Sequence, residues 1–341
     1  MSGTATESRA GSAAASGAPR SRVRLARIRD LALVPAILVL VVVGAVSSDT
    51  FLTAGNIIAV LQQQSELSLL VLAEALILIA GKMDLSLEST IGIAPALAVA
   101  LVIPSSANGL GVEFPSALAI PLCLAIGVAI GWLNGFLILK LGLSGFMVTL
   151  GMLIFLRGGQ EGLTEGKNLF EVPESFTYLG SATWLGLPAA VWLCALAFAV
   201  GIVVLGRFRQ GRALYAIGGN VEAAKAAGIR ADRVLWTVLV IGGALAAFAG
   251  VLMTGRLGSV AVAQGDGMIF TVFAATVIGG VSLDGGRGTL FGALSGVLML
   301  GLIENILRLL SVNSFWIKAI YGAVIIVALV VTRITTGRRQ D

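Results

Sequence analysis

The sequence predicts an all-α polytopic membrane protein of about ten transmembrane helices. Three observations lead to that class. Of the 341 residues, 57% are hydrophobic and only 12% are charged, whereas a water-soluble domain carries roughly 25% charged residues. Apolar runs recur along nearly the whole chain, the pattern of many spans and not of one anchored domain. Whole segments are apolar on every face, unlike the alternating polarity of a membrane β-barrel.

Composition also removes function classes. The chain has no histidine, which excludes His-based metal sites and most nucleophile–base pairs. Its two cysteines, Cys123 and Cys194, fall inside apolar runs and read as small buried hydrophobes without a disulfide framework. No catalytic residue, metal ligand or cofactor is assigned, and nothing points to nucleic acid. The phosphate-binding pattern G-x-x-x-x-G-K-[ST] is missing, because Gly166-Lys167 has Glu161 in place of the first glycine and is followed by Asn168.

From the N-terminus, residues 1–29 are rich in Ser, Ala, Gly and Arg and are expected to be a disordered basic tail. Ala45-Val46-Ser47 resembles a signal-peptide cleavage site, but an uncleaved first span held inside by Arg20, Arg22, Arg24, Arg27 and Arg29 is the expected arrangement. The candidate spans are about 31–47, 57–80, 87–103, 116–138, 145–156, 187–205, 234–254, 268–281, 289–307 and 317–332. Several are shorter than the ~20 residues a bilayer asks for, and Pro95 makes a break in the third plausible. The transmembrane domain is therefore set at 30–335, with a short tail over 336–341.

With both termini inside, cytoplasmic segments hold 18 of the 23 basic residues, leaving Arg157, Lys167, Arg256, Arg308 and Lys318 outside or near the outer edge. The positive-inside rule supports this orientation. The segment Asn168 to Gly186, with Glu171 and Glu174 and preceded by Glu161 and Glu165, is the longest outer loop and a candidate surface for an extracytoplasmic partner.

Polar residues within the spans are the candidate functional groups. Gln62, Glu66 and Glu74 lie within a sector of about 120° on the second helix, so that helix faces protein or water and not lipid. Gly81-Lys82-Met83-Asp84-Leu85-Ser86 is a polar break in which Asp84 and Ser86 are placed to cap the next helix. With Asn134 and Thr149, these residues form the candidate translocation pathway. Glu304 and Arg308, spaced i, i+4, read as a structural ion pair.

The clearest signal is a polar island, Arg207 to Arg233, between two apolar runs. Ala213–Ala216 and Glu222–Ala227 favour helix. Gly218-Gly219-Asn220 separates them, Asn220 is suited to N-cap the second helix, and Gly228 to end it. A short, small-residue surface helix on the inner face has the form of a docking element for a cytoplasmic ATPase. The candidate coupling residues are Arg212, Tyr215, Gly218, Gly219, Asn220, Glu222, Ala223, Ala224 and Gly228.

These stretches resemble the permease subunit of bacterial ABC sugar importers of the ribose/xylose/arabinose type, a broad family that also holds permeases for branched-chain amino acids or nucleosides. The resemblance rests on I-x-G-K-M-D-L-S at 79–86, G-W-L-N-G at 131–135, F-M-V-T-L-G-M-x-x-x-x-R-G at 146–158, G-R-A-L-Y-A-I-G-G-N-x-E-A-A-x-x-x-G at 211–228 and V-I-G-G-V-S-L-D-G-G-R-G-T at 277–289. It covers about residues 31–333. Lys82 and Glu88 depart from it, each standing where glycine is usual.

The resemblance implies ten spans with helices 2–5 and 7–10 related by an inverted pseudo-repeat. It implies a second permease chain in a homo- or heterodimer, ABC ATPase subunits inside and a solute-binding protein outside. It implies a multi-pass protein of the bacterial inner membrane that imports a monosaccharide or similar small polar solute, the ATP being hydrolysed on another chain. The rival expectation is an ion-coupled secondary transporter with Glu66 or Glu74 as its coupling carboxylate.

Overall fold

The computed structural model describes residues 33–313 and, past them, 315–317, 319–320, 322–323 and 326. The tails 1–29 and 336–341 and most of the run 317–332 lie outside the described residues. The helices in chain order are α1 (Val34–Ser47), α2 (Ala54–Ile79), α3 (Leu87–Val102), α4 (Ala119–Gly135), α5 (Gly145–Leu163), α6 (Glu174–Ser181), α7 (Ala189–Arg207), α8 (Arg209–Gly219), α9 (Val221–Ala226), α10 (Ala231–Leu257), α11 (Met268–Ile278) and α12 (Leu290–Leu309). A π-helical turn, Phe136–Lys140, continues α4. Strands β1 (Thr183–Trp184) and β2 (Leu187–Pro188) pair antiparallel, Thr183 opposite Pro188.

Each expected run from 31–47 to 289–307 coincides with a helix. Four stretches are long and apolar enough to cross a membrane by length and composition: Ser116–Lys140, Ala189–Arg207, Ala231–Leu257 and Leu290–Leu309. α2 is equally long at 26 residues, about 39 Å at the α-helical rise. Its middle carries the Gln62–Glu66 polar stretch, and its far half is buried on nearly every face.

α10 is the central post, packed against α2, α3 and α4. Its contact with α4 is a small-residue seam. Gly127, Gly131 and Gly135 recur every fourth residue along α4, and a Cβ on any of them would strike α10 at Gly243, Leu239 or Trp236. With hydrocarbon outside, helices gain by packing closely and not by burying apolar surface, so small residues belong at such a seam.

Pro95 does not break α3, which runs unbroken from Leu87 to Val102. A proline cannot donate to the carbonyl four residues back, so Ile91 loses its helical donor. The Gln264 side-chain amide donates to the Ile91 carbonyl at 2.9 Å instead. A neighbouring segment satisfies the freed group, as the bilayer interior requires.

That segment, residues 258–267, links α10 to α11. α11 has 11 residues, about 16 Å of helix and roughly half of a bilayer core. The linker is held by side chains of α5: Gln160 donates to the carbonyls of Ala261 and Val262, both at 3.0 Å, and Arg157 donates to the Gln264 carbonyl at 2.9 Å. The Glu88 carboxylate at the start of α3 accepts from the Ile269 N–H at 3.0 Å in the first turn of α11, where the helix dipole favours an anion, and lies 3.5 Å from Arg157. Glu88 thus ties the starts of two helices together.

The segment Asn168–Gly186 is more than a solvated loop. It contains α6 and β1, the first strand of the hairpin that β2 completes, buries the Phe176 ring and bridges to the α10–α11 linker through Leu169 and Val260.

Candidate functional site

The island 207–233 forms α8 and α9. The Asn220 side-chain carbonyl accepts from the Ala223 N–H at 2.9 Å, so it is the N-cap. Gly228, at φ +81°, ends α9 with its N–H bonded to the Lys225 carbonyl at 2.9 Å, as a left-handed C-terminal residue does. Glu222, Ala223 and Gly228 are exposed and Ala224 is buried. Glu222 pairs with Lys225 at 3.3 Å, an exposed contact of little energetic weight.

α8 is anchored to the core and not merely tethered. The Tyr215 hydroxyl donates to the Gly288 carbonyl at 2.8 Å. Gly218 sits against the Ile79 carbonyl and the Gly286 N–H, while Gly219 and exposed Arg212 face away. Gly286 N–H itself donates to the Ile79 carbonyl at 2.9 Å. A Cβ on Gly285 would stand 2.7 Å from the Gly81 Cα and 2.8 Å from the Gly218 carbonyl. Three segments therefore cross backbone to backbone: the end of α2, the end of α8 and the α11–α12 linker.

Immediately beyond that crossing lies a buried polar cluster. The Asp84 carboxylate accepts from the Ser86 N–H at 2.9 Å and from its hydroxyl at 2.6 Å. The Asn134 amide donates to Asp84 at 3.2 Å and to the Ser86 hydroxyl at 2.8 Å. Asp84 closes the turn into α3, whereas the Ser86 side chain makes no cap bond to the helix. Glu74 is fully buried beside Asp84. Thr149 is satisfied within α5 by the Gly145 carbonyl at 2.9 Å.

Glu66 and Gln62 belong elsewhere. Gln62 donates to the Gly180 carbonyl at 2.6 Å, at the end of α6. Glu66 receives both Nε and Nη2 of Arg256, at 2.6 and 2.8 Å, a bidentate pair between α2 and α10. This pair walls a cavity of about 590 Å³ between α2, α10, α11 and α12. The expected Glu304–Arg308 pair is present, with Nε at 2.9 Å, and lines the same cavity. The candidate pathway residues thus divide between the cavity, the Asp84 cluster and isolated positions on α2 and α5.

Sequence reasoning passes over Gln64, Gln160, Gln264 and Arg256. A carboxylate inside a span demands a partner, so Glu66 itself is the signal for Arg256. Gln160 and Gln264 leave no such signal, since the backbone carbonyls they serve lie far along the chain, and Gln64 leaves none because its side-chain oxygen has no partner. Just after α5 the hydrogen bond from Lys167 to Glu165, 2.9 Å long, and the Lys167 charge hold that exposed carboxyl below its ordinary range.

Set against known proteins, residues 56–329 match the family described as branched-chain amino acid transport system / permease component. The chain belongs to that family: it is a multi-pass membrane permease, a translocation component and not an enzyme. Its relatives include the ribose import permease protein RbsC of Escherichia coli K12, 33% identical over 300 residues, covering 87% of this chain and 91% of that protein. The L-arabinose transport system permease protein AraH of Escherichia coli K12 is 31% identical over 331 residues, covering 94% and 96%. RbsC of Bacillus subtilis is 33% identical over 297 residues, covering 86% and 90%. No solved structure matches.

Proposed function

We propose that this chain is the membrane permease of an ATP-driven importer for a monosaccharide, with pentoses the first candidates. The α8–α9 pair carries the reading. Its exposed face is free to meet an ATPase, and its buried face meets the α2–α3 junction through close backbone contacts at Gly218. A displacement of α8 reaches Asp84, Ser86 and Asn134 within a few residues. The ribose and arabinose permeases among the relatives support the solute class, as do the ATPase and binding-protein partners general to such transporters.

In this reading α8 and α9 face the cytoplasm with both termini, and the ends of α10 and α12 face outward with α6 and the hairpin. The acidic 165–174 stretch meets the binding protein, and a second permease chain completes the translocator. Glu66, tied bidentately to Arg256, is poorly suited to bind and release an ion in each cycle, which disfavours the gradient-driven alternative. Glu74 is the carboxylate to test: Glu74→Gln abolishes uptake in a gradient-driven carrier and lowers it only moderately in an ATP-driven one. Branched-chain amino acids are the second solute reading, motivated by the family description. Deleting the chain and measuring labelled D-ribose, L-arabinose and L-leucine uptake separates them: loss of leucine uptake alone would refute the sugar reading.

A further inference from the structure

We infer that the cavity between α2, α10, α11 and α12 holds one small neutral polyol on its way through the permease, recognised by Gln64 and the Glu66–Arg256 pair and stacked on Phe270. The inference rests on the orientation and the importer reading proposed above.

Size comes first. About 590 Å³ falls within the range of roughly 300–1,000 Å³ that small-molecule sites occupy. Charge comes second. Glu66 is neutralised by Arg256 through two hydrogen bonds and Glu304 by Arg308. Among the described ionised residues on the wall, Asp266 alone lies outside these pairs, and it is exposed. A zwitterionic amino acid would need an unpaired cation for its carboxylate and an unpaired anion for its ammonium group. Breaking the Glu66–Arg256 pair to provide them leaves a buried charge uncompensated, a large cost. A polyol needs only hydrogen-bonding groups of both kinds. It can donate to the outer lone pairs of Glu66 and accept from Arg256 without separating them.

The third observation is an unmet group. Gln64 is only 5% exposed and lines the cavity, yet its side-chain carbonyl oxygen has no hydrogen-bond partner. A buried acceptor left so carries a penalty that a hydroxyl donor would relieve. Its placement depends on Gly301 of α12, where a Cβ would stand 2.5 Å from the Gln64 Cδ. Finally, Phe270 on the first turn of α11 lines the same space and is 69% exposed. An open aromatic face beside polar groups suits the C–H face of a sugar ring. Sequence periodicity points to Glu66 but not to Gln64, which lies outside the sector shared by Gln62 and Glu66.

The test uses the full transporter, permease with its ATPase and its binding protein, in proteoliposomes. Cys123 and Cys194 are replaced by alanine and Gln64→Cys is introduced. A small anionic methanethiosulfonate reagent is added from the outer side, with D-ribose, L-arabinose or L-leucine present. The expected result is labelling slowed about tenfold by the transported sugar at about ten times its Kd, by mass action, and unaffected by leucine. In the otherwise native chain, Gln64→Leu is expected to raise the KM for uptake about two- to tenfold, the loss of one neutral hydrogen bond. Thr271→Cys, on another wall of the cavity, repeats the labelling if Gln64→Cys fails to assemble. Labelling untouched by a sugar that is nonetheless taken up overturns the cavity assignment and leaves the importer reading standing. Cysteines at both positions inert from the outer side overturn it too, since lipid or a partner chain then fills the space. Protection and uptake with leucine and not with sugar overturn the sugar reading itself.

Discussion

Replacing Gly218 with alanine adds a methyl group where the end of α8 crosses the Ile79 carbonyl and the Gly286 N–H. Both obstacles are backbone, so neither yields by rotating a side chain. Overpacking of this kind typically costs about 1–3 kcal/mol. Separating Gly286 from Ile79 loses their 2.9 Å hydrogen bond, a further ~1 kcal/mol. The better helix propensity of alanine returns about 1 kcal/mol. The balance is near 2 kcal/mol, roughly a thirtyfold shift of an equilibrium, applied where the proposed ATPase dock meets the α2–α3 junction. Gly219 is the matched control, with nothing within 4 Å of its added Cβ. Uptake and solute-stimulated ATP hydrolysis should fall at least tenfold for Gly218→Ala and stay near wild type for Gly219→Ala, with ATPase association retained in both. Indistinguishable uptake by the two variants would refute the claim that this crossing transmits the motion of α8.

Other perturbations probe separate parts of the account. Glu222→Lys reverses an exposed charge on α9 and should lower transport and ATPase stimulation while expression holds; unchanged stimulation in proteoliposomes would count against docking there. Gln264→Leu orphans the Ile91 carbonyl above Pro95 and should lower the melting midpoint in detergent by the equivalent of about 1–3 kcal/mol; no change would mean water or another donor already serves that carbonyl. In a Cys-free background, Glu171→Cys and Ala226→Cys, both exposed, should label from opposite sides of the membrane. Labelling of both by an impermeant reagent outside intact cells would overturn the proposed topology.

How far the fold is legible in the sequence depends on the range of the forces. The apolar runs are set by bilayer thickness, a local requirement, and they coincide with helices from α1 to α12. Asn220 and Gly228 act within one turn, so the shape of α9 is readable residue by residue. Pro95 shows the limit. Its missing N–H is visible locally, but the Gln264 amide that compensates, 173 positions downstream of Ile91, is not; a break in α3 is therefore favoured until the linker is seen in place.

 The two groups are far apart in sequence and meet only through the tertiary fold. The same holds for Glu66. A carboxylate in a span announces that it needs a partner, but only the packing of α2 on α10 identifies Arg256. The segment 168–186 reads as a loop because its order comes from one buried ring, Phe176, and from a bridge to Val260, neither of which has a local pattern. Gln64 is hidden for a further reason: its site is made by the absence of a side chain at Gly301.

The central claim is that ATP, and not an ion gradient, drives solute through this chain. The most direct test is uptake of labelled pentose by proteoliposomes holding the permease, its ATPase and its binding protein, with ionophores collapsing the proton and sodium gradients. Uptake should survive that collapse while ATP remains, and should stop when the ATPase or the binding protein is left out. Accumulation of the pentose by the permease alone, on an imposed proton or sodium gradient and without ATP, would contradict the account.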